Sequence, residues 1–131
     1  MQFKSVYLMV YLIFLHLRFL KELYLSNNRI EFIGALANVA SLQALELNSN
    51  KIKSIKPLAA LIKLVYLDLS SNQIESCESL ENLEHLSRIN LRFNKIKSVN
   101  SLSKLINLPN LDLSKIKIDQ TACGVDQTSL P

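Results

Sequence analysis

The sequence predicts an α/β repeat solenoid, in which short parallel strands stack side by side and each joins the next through a helical or 3-10 return. Three observations carry that prediction. Leucine fills 26 of the 131 positions, about twice ordinary usage, which asks for leucine at nearly every inward position. Four asparagines, Asn28, Asn50, Asn72 and Asn94, recur 22 residues apart in one apolar frame. Within each copy the apolar spacing is two before the asparagine and three after it, the change expected between a strand and a tight helical turn. The length allows one core and no second independent domain. With 49% hydrophobic and 20% charged residues, the chain is not a disordered tail.

Residues 1–19 contain an unbroken apolar run from Val6 to Leu15, too short to span a bilayer. No small-residue cleavage site follows it, as a secretory signal would require. Counting back one period places Leu8, Tyr11, Phe14 and Leu17 in phase with Ile30, Ile33, Leu36 and Val39. The segment is expected to be a degenerate repeat acting as N-terminal cap, with a signal or membrane-associated segment as the alternative. Met9, Val10, Leu12 and Ile13 are surplus to the repeat and would form an apolar patch that favours self-association or a partner.

Residues 20–113 hold four full copies and the start of a fifth. The first runs Leu20, Leu23, Leu25, Asn28, Ile30, Ile33, Leu36, Val39, and the third runs Leu64, Leu67, Leu69, Asn72, Ile74, Cys77, Leu80, Leu83. In L-x-L the two leucines point to one side of a strand and the residue between them to the other. No single copy can bury its apolar set alone, so the copies must stack into a curved solenoid. The asparagine falls where the chain turns inward, and its amide can pair backbone groups along the stack. In the fifth copy, after Leu108, Leu111 and Leu113, Ile116 takes the asparagine position, so the ladder should end there. Residues 114–131 read as a degenerate end and frayed tail. Without a polar cap, either a partner covers this end, the chain is shorter than its relatives, or it self-associates through its poorly capped ends.

The pattern L-x-x-L-x-L-x-x-N in each copy, from Leu20 to Leu113, resembles the leucine-rich repeat family. The period and the following I-x-x-I-x-x-L-x-x-L half look like the intracellular class typified by regulatory subunits of type-1 protein phosphatase. Axonemal dynein light chains and a spliceosomal ribonucleoprotein subunit share that class. The resemblance implies a short horseshoe with a parallel β-sheet on the concave face and the returns on the convex face. It also implies a non-catalytic, protein-binding role.

Residues that could carry chemistry are sparse. Gly34 and Gly124 are the only glycines, which excludes glycine-rich phosphate loops. Cys77 and Cys123 show neither a disulfide framework nor metal spacing, and Cys77 stands where other copies hold Ile or Val, so it reads as a core residue. His85 reads as a surface histidine, and Glu78, Glu81 and Glu84 as a solvated convex face. Catalytic, cofactor and metal sites are accordingly not expected.

The strand positions opposite the leucines are the candidate binding surface. The column between the strand leucines reads Tyr24, Glu46, Asp68, Asn90, Asp112, and the column before it Glu22, Ala44, Tyr66, Arg88, Asn110. Beyond them lie Ser70 and Arg92, then Ser71 and Phe93. Tyr24, Glu46, Tyr66, Asp68, Arg88, Asn90, Arg92 and Phe93 are the expected partner-binding residues, since Tyr and Arg are enriched at interface hot spots. A further column, Glu31, Lys53, Glu75, Lys97, Asp119, alternates in sign and should set unlike charges beside one another. Residues 64–85 carry Asp68, Glu75, Glu78, Glu81 and Glu84 without a lysine or arginine, whereas 86–107 carry Arg88, Arg92, Lys95, Lys97 and Lys104 without an acid.

The expected function is a non-catalytic protein-protein interaction module, with a regulatory or scaffold subunit of the cytoplasm or nucleus as its expected setting. A nucleic-acid-associated role is the alternative, prompted by the net charge of +4 and by the column Arg29, Lys51, Gln73, Lys95, Lys117. Against it, Glu46 and Asp68 would repel phosphates on the neighbouring face. Attachment to a membrane is expected only through residues 1–19.

Overall fold

Each strand is only three residues long and centres on the first apolar residue of the L-x-L segment, Leu23, Leu45, Leu67 or Ile89, while the second leucine follows just beyond its end. The computed structural model describes residues 15–97, 100, 103, 105 and 108–111. Its four strands are β1 (Glu22–Tyr24), β2 (Ala44–Glu46), β3 (Tyr66–Asp68) and β4 (Arg88–Asn90). They make one parallel sheet in chain order. Leu23, Leu45, Leu67 and Ile89 are register partners from strand to strand. A slip of one residue would turn this whole row to solvent, so its burial fixes the register. Leu45, Leu67 and Ile89 lie in the core, and Leu23 packs against it half-buried.

The returns are 3-10 helices: η1 (Gly34–Asn38), η2 (Lys56–Ala60) and η3 (Glu78–Leu80). Their hydrogen bonds explain why the apolar period is three. In the second copy Leu58 N donates to Ile55 O, Leu61 N to Leu58 O and Leu64 N to Leu61 O, each at 3.0–3.1 Å. The third copy repeats this through Cys77, Leu80, Leu83 and Leu86. The residues that close each turn are the ones that bury their side chains, so one spacing serves both the 3-10 bond and the core. Ile55, Leu58, Leu61, Cys77, Leu80 and Leu83 are all buried.

Between strand and return, the asparagines join the copies. Asn50 donates to Leu25 O at 2.9 Å and Leu47 O at 3.0 Å, and accepts from Ile30 N at 3.0 Å. Asn72 and Asn94 repeat the set one and two copies later. All three are buried, where an unpaired amide would be costly. Asn28 donates to Leu25 O and Ser26 O and is exposed.

The column Glu31, Lys53, Glu75, Lys97 is only partly paired. Among the described residues one step forms a salt bridge, Lys97 to Glu75 at 3.3 Å. Both side chains are more than half exposed, so solvent screening and side-chain entropy offset most of the attraction that would close the other steps. Residues 1–14 and 112–131, and with them all but the last five residues of the expected cap, the fifth strand's Asp112, the Ile116 end of the ladder and the tail, lie outside the described residues. Among the described residues, no helix is long and apolar enough to cross a membrane.

Candidate concave binding face

Because the leucines and the amides of Asn50, Asn72 and Asn94 fill the inside of the stack, the alternate strand positions are left to vary. Two rows result. Glu22, Ala44, Tyr66 and Arg88 are register partners in one, and Tyr24, Glu46, Asp68 and Asn90 in the other. The sheet lines the concave face, so both rows open onto it.

At its β1 side the face is acidic and aromatic. Tyr24 Oη donates to Glu22 Oε2 at 2.8 Å. That bond, with the negative charges of Glu22 and Glu46 nearby, holds the Tyr24 phenol above its ordinary pKa. Tyr66 is raised too, first by partial burial and then by Asp68 and Glu46. Glu46 and Asp68 face one another across β2 and β3, and like charges in that relation destabilise a sheet.

The centre is a polar network. Asp68 Oδ1 accepts from Ser70 N at 2.9 Å and Ser70 Oγ at 2.7 Å, while Oδ2 accepts from Asn90 Nδ2 at 3.2 Å. Asn90 Oδ1 in turn accepts from the Arg92 backbone N–H at 3.2 Å. Ser26 Oγ donates to Asn48 Oδ1 beside it. Asp68 and Asn90 therefore shape the face together, and Asp68 also charges it.

At β4 the face turns basic. Arg88 is exposed and Arg92 half-buried. The Arg92 Nε is buried and has no hydrogen-bond partner. Phe93 follows with 79% of its surface exposed and a backbone φ of 59°. Its counterparts Asn27, Ser49 and Ser71 share the left-handed conformation. That region suits Asn far better than a bulky aromatic residue.

One surface feature escaped the sequence reading. Phe32, 89% exposed, borders an open groove of about 660 Å³ with Ile33, Gly34, Lys51, Lys53 and Pro57. The signal was present, since the equivalent positions are Ser54, Ser76 and Ser98. Cys77 lies in the core, where burial pushes its thiol up to about 11, a value that suppresses nucleophilic thiolate. His85 and Glu84 are exposed turn residues. Among the described residues, no group of three or more His, Cys, Asp or Glu side chains could hold a metal ion.

A family model described as "Leucine Rich repeats (2 copies)" matches residues 18–60, 40–82 and 62–104. No curated protein matches. Among solved structures, an internalin from Listeria monocytogenes is 26% identical with a TM-score of 0.69, covering 80% of this chain and 31% of its own. Internalin C2 of the same organism is 38% identical, with a TM-score of 0.66 over 70% of this chain and 39% of that one. A Leptospira interrogans leucine-rich repeat protein is 32% identical, with a TM-score of 0.59 over 76% and 25%. The chain thus spans less than two-fifths of the length of each.

Proposed function

Since the chain belongs to the leucine-rich repeat family, we propose that it is a non-catalytic module that holds a protein partner on its concave face. One contrast carries the reading. Positions inside each copy repeat almost unchanged, whereas the outward strand positions change from copy to copy and carry Tyr24, Tyr66, Arg88 and three carboxylates. A face built only for solvation needs neither large aromatics nor arginines, the residue types concentrated in interface hot spots. Four strands about 4.8 Å apart give a narrow surface, at the small end of specific protein contacts. A regulatory or scaffold subunit is the role such a module fits.

The test is affinity capture with the native chain, a concave variant (Glu46→Lys with Arg88→Glu) and a convex control (Ala59→Glu with Lys63→Glu). The reading expects a partner held by the native chain and the control and lost by the concave variant at unchanged thermal stability. A partner indifferent to the concave variant contradicts it.

A further inference from the structure

The concave face carries unlike charges at its two ends, and among the described residues neither end is neutralised from within: Glu46 has no lysine or arginine within salt-bridge distance, and Arg88 and Arg92 have no carboxylate within it. Asp68 stands between the two ends, yet its oxygens are taken by Ser70 and Asn90. Asp68 thus makes its short bonds to neutral groups, and the buried Arg92 Nε has no hydrogen-bond partner. A guanidinium has five donors and favours a carboxylate, often through two parallel bonds.

The acidic end has the form of a cation seat. Ala44, which ends at Cβ, stands in its row between the longer Glu22 and Tyr66. Tyr24 and Glu46 are register partners in the adjoining row. The carboxylates of Glu22 and Glu46 and the two phenol rings therefore flank a position filled by only a methyl group, with Glu22 Oε2 also accepting from Tyr24 Oη. Carboxylates beside aromatic rings attract a lysine or arginine head both by charge and by the ring faces. At the other end, the exposed Phe93 ring offers an apolar contact beside the arginines.

We propose that this face takes a protein segment bearing one cationic side chain and one carboxylate about 10 Å apart, two strand spacings. The cation sits among Glu22, Tyr24, Glu46 and Tyr66, and the carboxylate on Arg88 and Arg92 beside Phe93. In an extended segment crossing the strands, that separation corresponds to about three residues. This inference rests on the protein-binding reading above. The mixed charge disfavours a polyanion, which Glu46 and Asp68 would repel.

Random dodecapeptides displayed on phage and selected on the immobilised full chain test it. The expected winners carry Lys or Arg about three residues from Asp or Glu. A synthetic winner should lose about tenfold in affinity against Glu46→Lys and against Arg92→Glu. Replacing its cation with Glu should recover binding to Glu46→Lys. Winners that lack the charge pair but are lost with Tyr66→Ser overturn this chemistry and leave the protein-binding face standing. Winners indifferent to Tyr66→Ser, or no winners, overturn both. Sedimentation is run in parallel, and dimers abolished by Glu46→Lys would give the face to a second copy and also overturn the proposal.

Discussion

Asn72 donates a hydrogen bond to the carbonyl oxygen of Leu47, 25 residues earlier, at 2.9 Å. The same side chain accepts from Ile52 N at 3.0 Å, so one amide holds two copies at two points. Neither backbone group can turn to water at this depth, which makes the loss of the amide a burial penalty as well as a lost bond.

Asn72→Ala is therefore expected to cost about 3 kcal/mol, from two orphaned backbone groups and a small cavity. Asn28→Ala, at an exposed member of the series, should cost under about 1 kcal/mol. Urea midpoints of the two variants check the ordering, and equal losses would contradict it.

Phe93 occupies a left-handed backbone position with its ring in solvent. Phe93→Asn should raise stability by about 1 kcal/mol, because Asn tolerates that conformation and little packing is lost. If the ring serves the concave face, the same change weakens partner binding. Thermal melts and peptide titrations on one variant separate the two effects.

Glu46 opposes Asp68 in the sheet. Glu46→Gln should stabilise the fold by about 0.5 kcal/mol by removing the like-charge contact, with a larger gain at low salt than at high salt. Denaturant curves at two ionic strengths measure this.

Cys77 makes stability depend on alkaline pH. Burial raises its thiol from 9.0 to about 11, so the unfolded chain loses that proton first. Between those values the folded state binds more protons, and stability falls as pH rises, by about 1.4 kcal/mol per unit. Below pH 9 the contribution is complete and flat. Tyr24 and Tyr66, both raised, act in the same direction above about pH 10. Cys77→Val, which matches the apolar side chains of Ile33 and Ile55 in other copies, should fold and show a shallower fall between pH 9 and 10.

The repeat was legible in the sequence because a solenoid writes its geometry into spacing. The L-x-L alternation marks strands, and the period of three from Ile55 to Leu64 marks turns closed by bonds between those same residues. The two rows of the concave face follow from that register. Other features were not legible. The left-handed turn before each asparagine is written only as Asn27, Ser49 and Ser71, until Phe93 breaks the column. The charge column showed which unlike charges would be neighbours but not which would pair, because exposed Lys and Glu side chains are positioned by solvent and entropy more than by sequence spacing. Nor could spacing show that Asp68 would bond to Ser70 and Asn90.

The central claim is that partners meet the sheet face, and site-specific photo-cross-linking tests it most directly. A photoreactive phenylalanine analogue replaces Tyr66 on the concave face in one variant and Ala59, exposed in η2, in another. The account predicts a cross-linked partner from the Tyr66 position, competed by unmodified chain, and none from Ala59. Cross-linking from Ala59 with none from Tyr66 would contradict it and move the interface to the convex side.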